Sequence, residues 1–438
     1  MKNQTFFGIF IFFLGMIFPL FSALAQDNGS NSVQESSTNT ALELENKKAD
    51  PDGIPTERNR LYRILDYYDT GALRLSGRLY YDFAALNQSS GDNRLVEYGT
   101  LARSFRLRAD GRISSRLNWR AELEIVSNTF TFRGAYLYYR KANSHLMFGN
   151  IIKEPMGLER MSPLGWYPFV ELPPASGAFM PARNLTLRFE QRGFFYNLMA
   201  SLHNGADSIT DSSLKSGYAV TGRATIAPIN TPTEFLHFGL NGSYRASAYS
   251  TPDSLNGQRV FRALRFPINP GSRAVGSAFF GSKNISDANY HTRFIVETAT
   301  GMNAWYIQAE YTGVHVNRIA PEKSIYLYGY YVQTGFFLTG ETRPYRATHG
   351  SFGPLTPLSD FDSGRGTGAI ELALRYSLNN YDDINYLGGM LRHYGAAFNW
   401  YISRDTRVMF NVFHYSTSRF PNQNVKGMVF ASRINFEF

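Results

Sequence analysis

The sequence predicts an all-β chain: a transmembrane antiparallel β-barrel of about 16 strands, with one inward-folded loop that narrows it. Three observations predict it. A removable leader opens the chain, period-2 alternation of apolar and charged residues runs from about residue 71 to the end, and the 438 residues contain no Cys. An exported chain of this size without disulfides needs another closed network to hold it together, and a hydrogen-bonded barrel supplies one.

Residues 1–25 read as a signal peptide, with Lys2, an uncharged apolar run from Phe6 to Phe21, and the small-residue cleavage site Ala23-Leu24-Ala25. The run is short for a membrane anchor, and no later window supplies the roughly 20 apolar residues that a spanning helix needs. Residues 26–70 form a polar N-terminal extension, Ser/Thr/Asn-rich at its start and poor in aromatics. Residues 71–438 form the barrel.

Along 72–86, Leu73, Leu75, Leu79, Tyr81 and Phe83 share one face, and Arg74, Ser76, Arg78 and Asp82 the other. One face suits lipid and the other water. Leu101, Phe105, Leu107 and Ile113 oppose Arg106, Arg108, Asp110 and Arg112, and Leu117, Trp119, Ala121, Leu123 and Ile125 oppose Asn118, Arg120, Glu122 and Glu124. Near the other end, Ile370, Leu372, Leu374, Tyr376 and Leu378 oppose Glu371 and Arg375. A soluble sandwich also alternates, but it seldom has so many long strands with Arg-rich inner faces.

The segments fall near 72–86, 99–110, 115–126, 130–141, 144–152, 183–190, 193–203, 217–227, 233–247, 290–301, 303–316, 324–340, 366–378, 389–402, 405–417 and 427–438. An even count returns the last strand to the side of the first, with both termini in the periplasm. Short turns (ADGRISS, RKANS, TGMN, SRDT) then alternate with longer extracellular loops at 87–98, 153–182, 204–216, 248–289, 379–388 and 418–426. One segment breaks the rule: 341–365 is long yet falls on the short-turn side. Either the count slips there or the segment folds into the lumen, bringing Arg343, Arg346 and Arg365 with it.

The stretch 153–182 joins the fifth and sixth strands. Pro155, Pro163, Pro168, Pro173 and Pro174 keep it from pairing as strands. Folded inward, it would place Lys153, Arg160 and Arg183 at a constriction, where a positive field concentrates anions. The anion-binding or pore-lining candidates are therefore Lys153, Arg160, Arg183, Arg106, Arg108, Arg74, Arg78, Arg120 and Arg375. Inner-face acids could pair with any of them. Arg binds carboxylate and phosphate in a planar fork, and the formal charge of +9 is carried mostly by Arg.

No catalytic residues, metal ligands or cofactor motifs are recognisable: the 8 His are scattered, and HExxH, phosphate-loop and paired Cys/His spacings are absent. His393 and His414, with Ser403 and Ser416 nearby, have nothing distinctive in their setting. The basic charge is spread strand by strand and not gathered in a patch, so no nucleic-acid partner is expected.

The last segment, MVFASRINFEF, sets Met428, Phe430, Ile434, Phe436 and the terminal Phe438 on one face. A terminal aromatic on such a strand resembles the assembly signal of outer-membrane barrels. GNIIKEPMGLERM at 149–161 with FMPARNLTL at 179–187, YYVQTGFFLTGETRPY at 330–345, GAIELALRYS at 368–377 and GAAFNWYISRDTRVMFNVFHY at 395–415 together resemble the phosphate-selective porins O and P. That resemblance implies a homotrimeric porin in outer-membrane lipid of the Gram-negative type. Its Arg- and Lys-lined channel would pass small anions such as phosphate, by diffusion and without a cofactor. The competing expectations are a general diffusion porin of little selectivity and a barrel that is not a transporter, such as an outer-membrane enzyme or adhesin.

Overall fold

A computed structural model describes residues 73–126, 129–151, 153–180, 184–204, 217–247, 263–276, 280–361, 364, 366–419 and 424–438. The expected signal peptide 1–25, the extension 26–70, Arg183 and Arg365 lie outside the described residues.

Sixteen antiparallel strands close into one barrel in chain order. They are β1 (Leu73–Ser90), β2 (Asn93–Arg112), β3 (Leu117–Val126), β4 (Thr129–Lys141), β5 (Ser144–Ile151), β6 (Asn184–Arg192), β7 (Tyr196–Asn204) and β8 (Tyr218–Asn230). After these come β9 (Glu234–Ala246), β10 (Ala288–Met302), β11 (Trp305–Arg318), β12 (Ile325–Phe337), β13 (Ala369–Asp383), β14 (Tyr386–Tyr401), β15 (Thr406–Ser418) and β16 (Val425–Glu437). The barrel closes where β1 pairs with β16, from Arg78 opposite Glu437 to Ser90 opposite Val425. Full closure leaves no sheet edge with unpaired amides, which lipid could not satisfy.

The alternation read from the sequence is the alternation of the wall. Leu73, Leu75, Leu79, Tyr81, Leu107, Leu372 and Leu374 stand exposed on the outer face, while Tyr80, Asp82, Ser104, Arg106, Glu122, Glu124, Glu371 and Arg375 are buried on the inner one. Two expected loops prove to be strand. Residues 87–98 continue β1 into β2 through a two-residue turn at Gly91 (φ 57°) and Asp92, and 379–388 continue β13 into β14 around Ile384 and Asn385. Polar residues occupy both faces of these hairpins, so alternation is lost in them. Backbone pairing needs no apolar pattern and persists. At 18 and 20 residues, β1 and β2 are nearly twice the ~10 residues that cross a bilayer.

Three segments enter the barrel. Residues 153–180 cross its interior between β5 and β6, with short helical turns at Leu158–Met161, Leu164–Trp166 and Pro174–Ala178. Residues 263–276 and 280–287 come in from the long-loop end, pinned by Leu264 bridging to Ile285 and by a short ribbon pairing Pro267–Ile268 with Phe280–Gly281. Residues 341–355, on the short-turn side, also turn inward, with a ribbon that pairs Tyr345 with Phe352. The strand count therefore does not slip there, and Glu341, Arg343, Ala347, Ser351 and Phe352 are buried inside the wall.

A coil inside a barrel must find partners for its backbone polar groups. Inward side chains of the wall provide them. Asn241 accepts from the Gly157 amide (3.2 Å), Glu310 from the Glu159 amide (2.8 Å), Asn411 from the Val170 amide (2.7 Å) and Ser377 from the Ala175 amide (3.1 Å). Asn399 donates to the Pro168 carbonyl (2.8 Å) and Asn379 to that of Pro174 (3.2 Å). The wall positions involved in these bonds lie on β9, β11, β13, β14 and β15. Apolar packing adds to this: Phe169 lies against Phe413, and Phe179 against Phe266 and Tyr381. Fully burying such rings contributes about 1.5–3 kcal/mol each.

Candidate functional site: an arginine-lined lumen

The inner face of β1 to β4 carries a cluster of arginines. Arg106 on β2 reaches Glu124 (2.9 Å) and Glu122 (3.2 Å) on β3, and Arg108 reaches Glu122 (2.8 Å). Arg78 on β1 lies 3.6 Å from Glu124 and donates to Ser104 (2.9 Å), which in turn donates to Glu124 (2.6 Å). Arg133 on β4 also pairs with Glu124. Four guanidinium groups thus share two carboxylates, which leaves the cluster about two charges positive. Arg120 pairs with Asp110 (2.5 Å) and lies over the Tyr136 ring, and Arg74 stands opposite Asp110 in register on the same inner face. The side chains of Arg108, Arg120 and Arg133 keep 36%, 29% and 35% of their surface exposed, so they face open lumen and not packed interior.

Of the sequence candidates, Arg74, Arg78, Arg106, Arg108 and Arg120 share this wall. Arg375 does not join them. It lies on β13 beneath the inserted segment, its guanidinium 3.9 Å from the Phe169 ring centre, donating to Gln333 (2.9 Å) and to the Glu171 carbonyl (2.9 Å). Lys153 donates to the carbonyls of Arg160 and Ser162, and Arg188 of β6 donates to the Lys153 carbonyl, so the start of the segment is drawn toward the wall. Arg160 sits on the segment itself. Burial pushes its guanidinium down to about 10, against the attraction of Tyr167 and with repulsion from Arg293.

Two arginines were invisible to the alternation. Arg103 is the extra residue between Ala102 and Ser104, which pair with Tyr81 and Tyr80, and Arg133 is the extra residue between Phe132 and Gly134, which pair with Leu123 and Glu122. A bulge turns the inserted side chain inward and resets the period after it. Arg103 then meets the inserted segment, holding Glu171 through two hydrogen bonds (2.9 and 3.2 Å). Burial alone would raise the Glu171 carboxyl, but Arg103, Arg273 and Arg433 bring it down to about 2.

On the far side the segment is secured by buried ion pairs. Arg293 donates to Glu154 (2.7 Å) and to the Phe179 carbonyl (2.9 Å), and Arg245 also pairs with Glu154. Arg343 of the short-turn segment sits between Glu371 (3.5 Å) and Glu159 (4.0 Å), stacked over Tyr306 and Phe352. The Phe352 amide donates to Ser162 Oγ (3.1 Å). The two inserted segments are therefore joined to each other as well as to the wall. Gly165 lets the constriction approach the closure seam closely: a Cβ there would meet the Glu437 carboxylate and the Tyr80 hydroxyl, which would have to shift.

His393 and His414 form no catalytic pair. His393 is buried on the inner face against Phe413, whereas His414 lies on the outer face beside Tyr394.

The fold has known counterparts. Porin O of Pseudomonas aeruginosa is 23% identical over 398 residues, which are 84% of this chain and 88% of that protein. An uncharacterized protein of Caulobacter vibrioides is 25% identical over 339 residues, 75% of this chain but 65% of its own length. Among solved structures, Pseudomonas putida OprB superposes with a TM-score of 0.52 at 12% identity, covering 86% of this chain and 96% of that one. An anion-selective porin from Comamonas acidovorans does so with a TM-score of 0.50 at 11% identity, covering 84% and 99%. Such identities compare folds alone. Residues 73–438, the whole barrel, match the sequence profile described as "Phosphate-selective porin O and P", and the chain belongs to that family of outer-membrane porins.

Proposed function

We propose that this porin is an anion-selective diffusion channel, and that phosphate or a similar small oxyanion is what it passes. The observation that carries the reading is the cluster on β1 to β4, in which Arg78, Arg106, Arg108 and Arg133 divide Glu122 and Glu124 among them. A guanidinium that shares its carboxylate keeps N–H donors for a passing oxyanion, and charge-assisted hydrogen bonds of this kind are short and strong. Several such groups in series replace hydration water without holding the ion at one deep site, so it leaves as readily as it enters. A cation meets the same surface with the opposite sign of energy. Lys153, Arg160 and Arg183 at the inserted segment would add to this field, and Arg375 would act by holding that segment in place. Export through a cleaved signal peptide and assembly as a homotrimer belong to the same reading, supported by the resemblance and the family.

The test is the reversal potential of single channels in a planar bilayer under a salt gradient, with phosphate added against chloride. A potential of the anion-selective sign, with a chloride current that falls as phosphate rises, is expected. An unselective pore that phosphate does not block would make this a general diffusion porin.

A further inference from the structure

The outer face of the wall carries a basic row near its long-loop end, which is extracellular in outer-membrane barrels. Arg392 on β14 stands opposite Ser416 on β15, Ser416 opposite Lys426 on β16, Lys426 opposite Ser89 on β1, and Ser89 opposite Arg94 on β2. Residues directly opposite one another on antiparallel strands share a face. That face is the outer one, because Leu391 and His393 on either side of Arg392 are buried, whereas Tyr394, two residues on, is exposed. Neighbouring strands lie about 4.8 Å apart, so successive cations are about 10 Å apart along the row, with a serine hydroxyl between them.

All three cations are exposed, and among the described residues none has a carboxylate partner. Arg94 donates to Asn87 (3.1 Å), and Asp382, at the end of β13, is taken up by the Gly389 amide (2.6 Å). This differs from the lumen, where Arg78, Arg106, Arg108 and Arg133 divide carboxylates among them. The row is also local: β8, β9 and β10 turn Tyr218, Tyr244 and Tyr290 outward near the same end, in ring contact with one another. One step toward the short turns, the row is backed by Tyr394, His414 and Met428. Beyond these the outer face of β14 continues with Ala396 and Phe398, and that of β16 is free of charge from Met428 to Phe436, a length close to the ~10 residues that cross a bilayer. The row therefore borders the lipid-facing band, where long cationic side chains lay their stems on apolar surface and hold their charges at the level of the headgroups.

We propose that Arg392, Lys426 and Arg94 form a lipid site on the outside of the barrel, for a phosphate-bearing lipid of the outer leaflet. Its phosphate groups meet the cations and the hydroxyls of Ser416 and Ser89, and its acyl chains lie along the apolar outer face of β14 to β16. A headgroup with more than one phosphate spans two cations at once. Free phosphate lacks the chains and uses only the exposed part of the site. The inference does not depend on what the lumen selects.

Native mass spectrometry of the purified full-length protein in detergent tests it, with bisphosphorylated lipid A as the probe and phosphatidylcholine and inorganic phosphate as comparators. Lipid A is expected to bind roughly tenfold or more tightly than phosphatidylcholine, and inorganic phosphate to displace it no better than chloride at the same ionic strength. Arg392→Gln combined with Lys426→Gln is expected to weaken lipid A about tenfold, the combined scale of two surface cations facing anionic lipid. Exchanging the cations, Arg392→Lys with Lys426→Arg, is expected to keep binding, which separates loss of charge from loss of fold. Lys141→Gln, exposed at the opposite end of the wall, is expected to leave it unchanged. Equal binding of lipid A and phosphatidylcholine, displacement by phosphate beyond that by chloride, undiminished binding in the double Gln variant, loss of binding in the exchanged variant, or an equal loss in Lys141→Gln would each overturn the inference. Cation selectivity of the native channel would count against the proposed anion conduction alone.

Discussion

At the scale of single residues, the lumen is governed by how many guanidinium groups each carboxylate serves. Glu122 serves Arg106 and Arg108, and Glu124 serves Arg78, Arg106 and Arg133. Two substitutions are therefore expected to move permeability in opposite directions. Arg108→Gln removes a half-exposed positive charge and lowers the anion-to-cation ratio, whereas Glu122→Gln removes the acid and raises it. Reversal potentials measure both, and movement in the same direction would mean that the cluster does not set selectivity. A different pair bears on stability. Arg433 on β16 grips Asp82 on β1 through two hydrogen bonds (2.6 and 2.7 Å) across the closure seam, with both side chains almost fully buried. Arg433→Ala strands a buried carboxylate and is expected to destabilise the barrel by about 3–5 kcal/mol. The midpoint of denaturant unfolding reports this, and Asp82→Asn in the same background should restore part of the loss.

At the scale of elements, the constriction segment answers to pH through Glu171. The folded carboxyl is held at about 2, from an ordinary 4.5, so its charged form is favoured when the segment is docked. That contribution is complete above pH 4.5 and is lost as pH falls through about 2. Current fluctuations of single channels are expected to grow across this window, and Glu171→Gln to show them at neutral pH. The sixteen strands were legible in the sequence because lipid and water impose opposite demands on alternate residues, and Leu73 to Phe83 or Ile370 to Leu378 record them directly. The ends of β1, β2, β13 and β14 were not, since polar residues there occupy both faces. Arg103 and Arg133 were hidden for a local reason: a bulge shifts the period by one, and nothing in Leu-Ala-Arg-Ser-Phe or Phe-Thr-Phe-Arg-Gly announces it. The constriction segment was legible from its prolines and position. Its partners were not, because Asn241, Asn379, Asn399 and Asn411 look in sequence like any lumen-facing polar residue.

At the scale of the whole molecule, the surplus of guanidinium over carboxylate on β1 to β4 acts through water in the lumen, where salt screens it. The Debye length falls from about 10 Å at 0.1 M to about 3 Å at 1 M salt. The anion preference is therefore expected to decline between those concentrations, while a purely steric filter would keep its ratio; permeability ratios at the two salt levels distinguish them. The barrel also holds its constriction at many points. Residues 153–180 are tied to strands β9 to β15, to Arg103 on β2 and Arg433 on β16 through Glu171, and to the short-turn segment through Arg343 and Ser162. A span anchored at so many points has few soft modes of bending. Solutes must fit the aperture as they find it, which gives a sharp cut-off in solute radius and an open-channel current with little intrinsic noise.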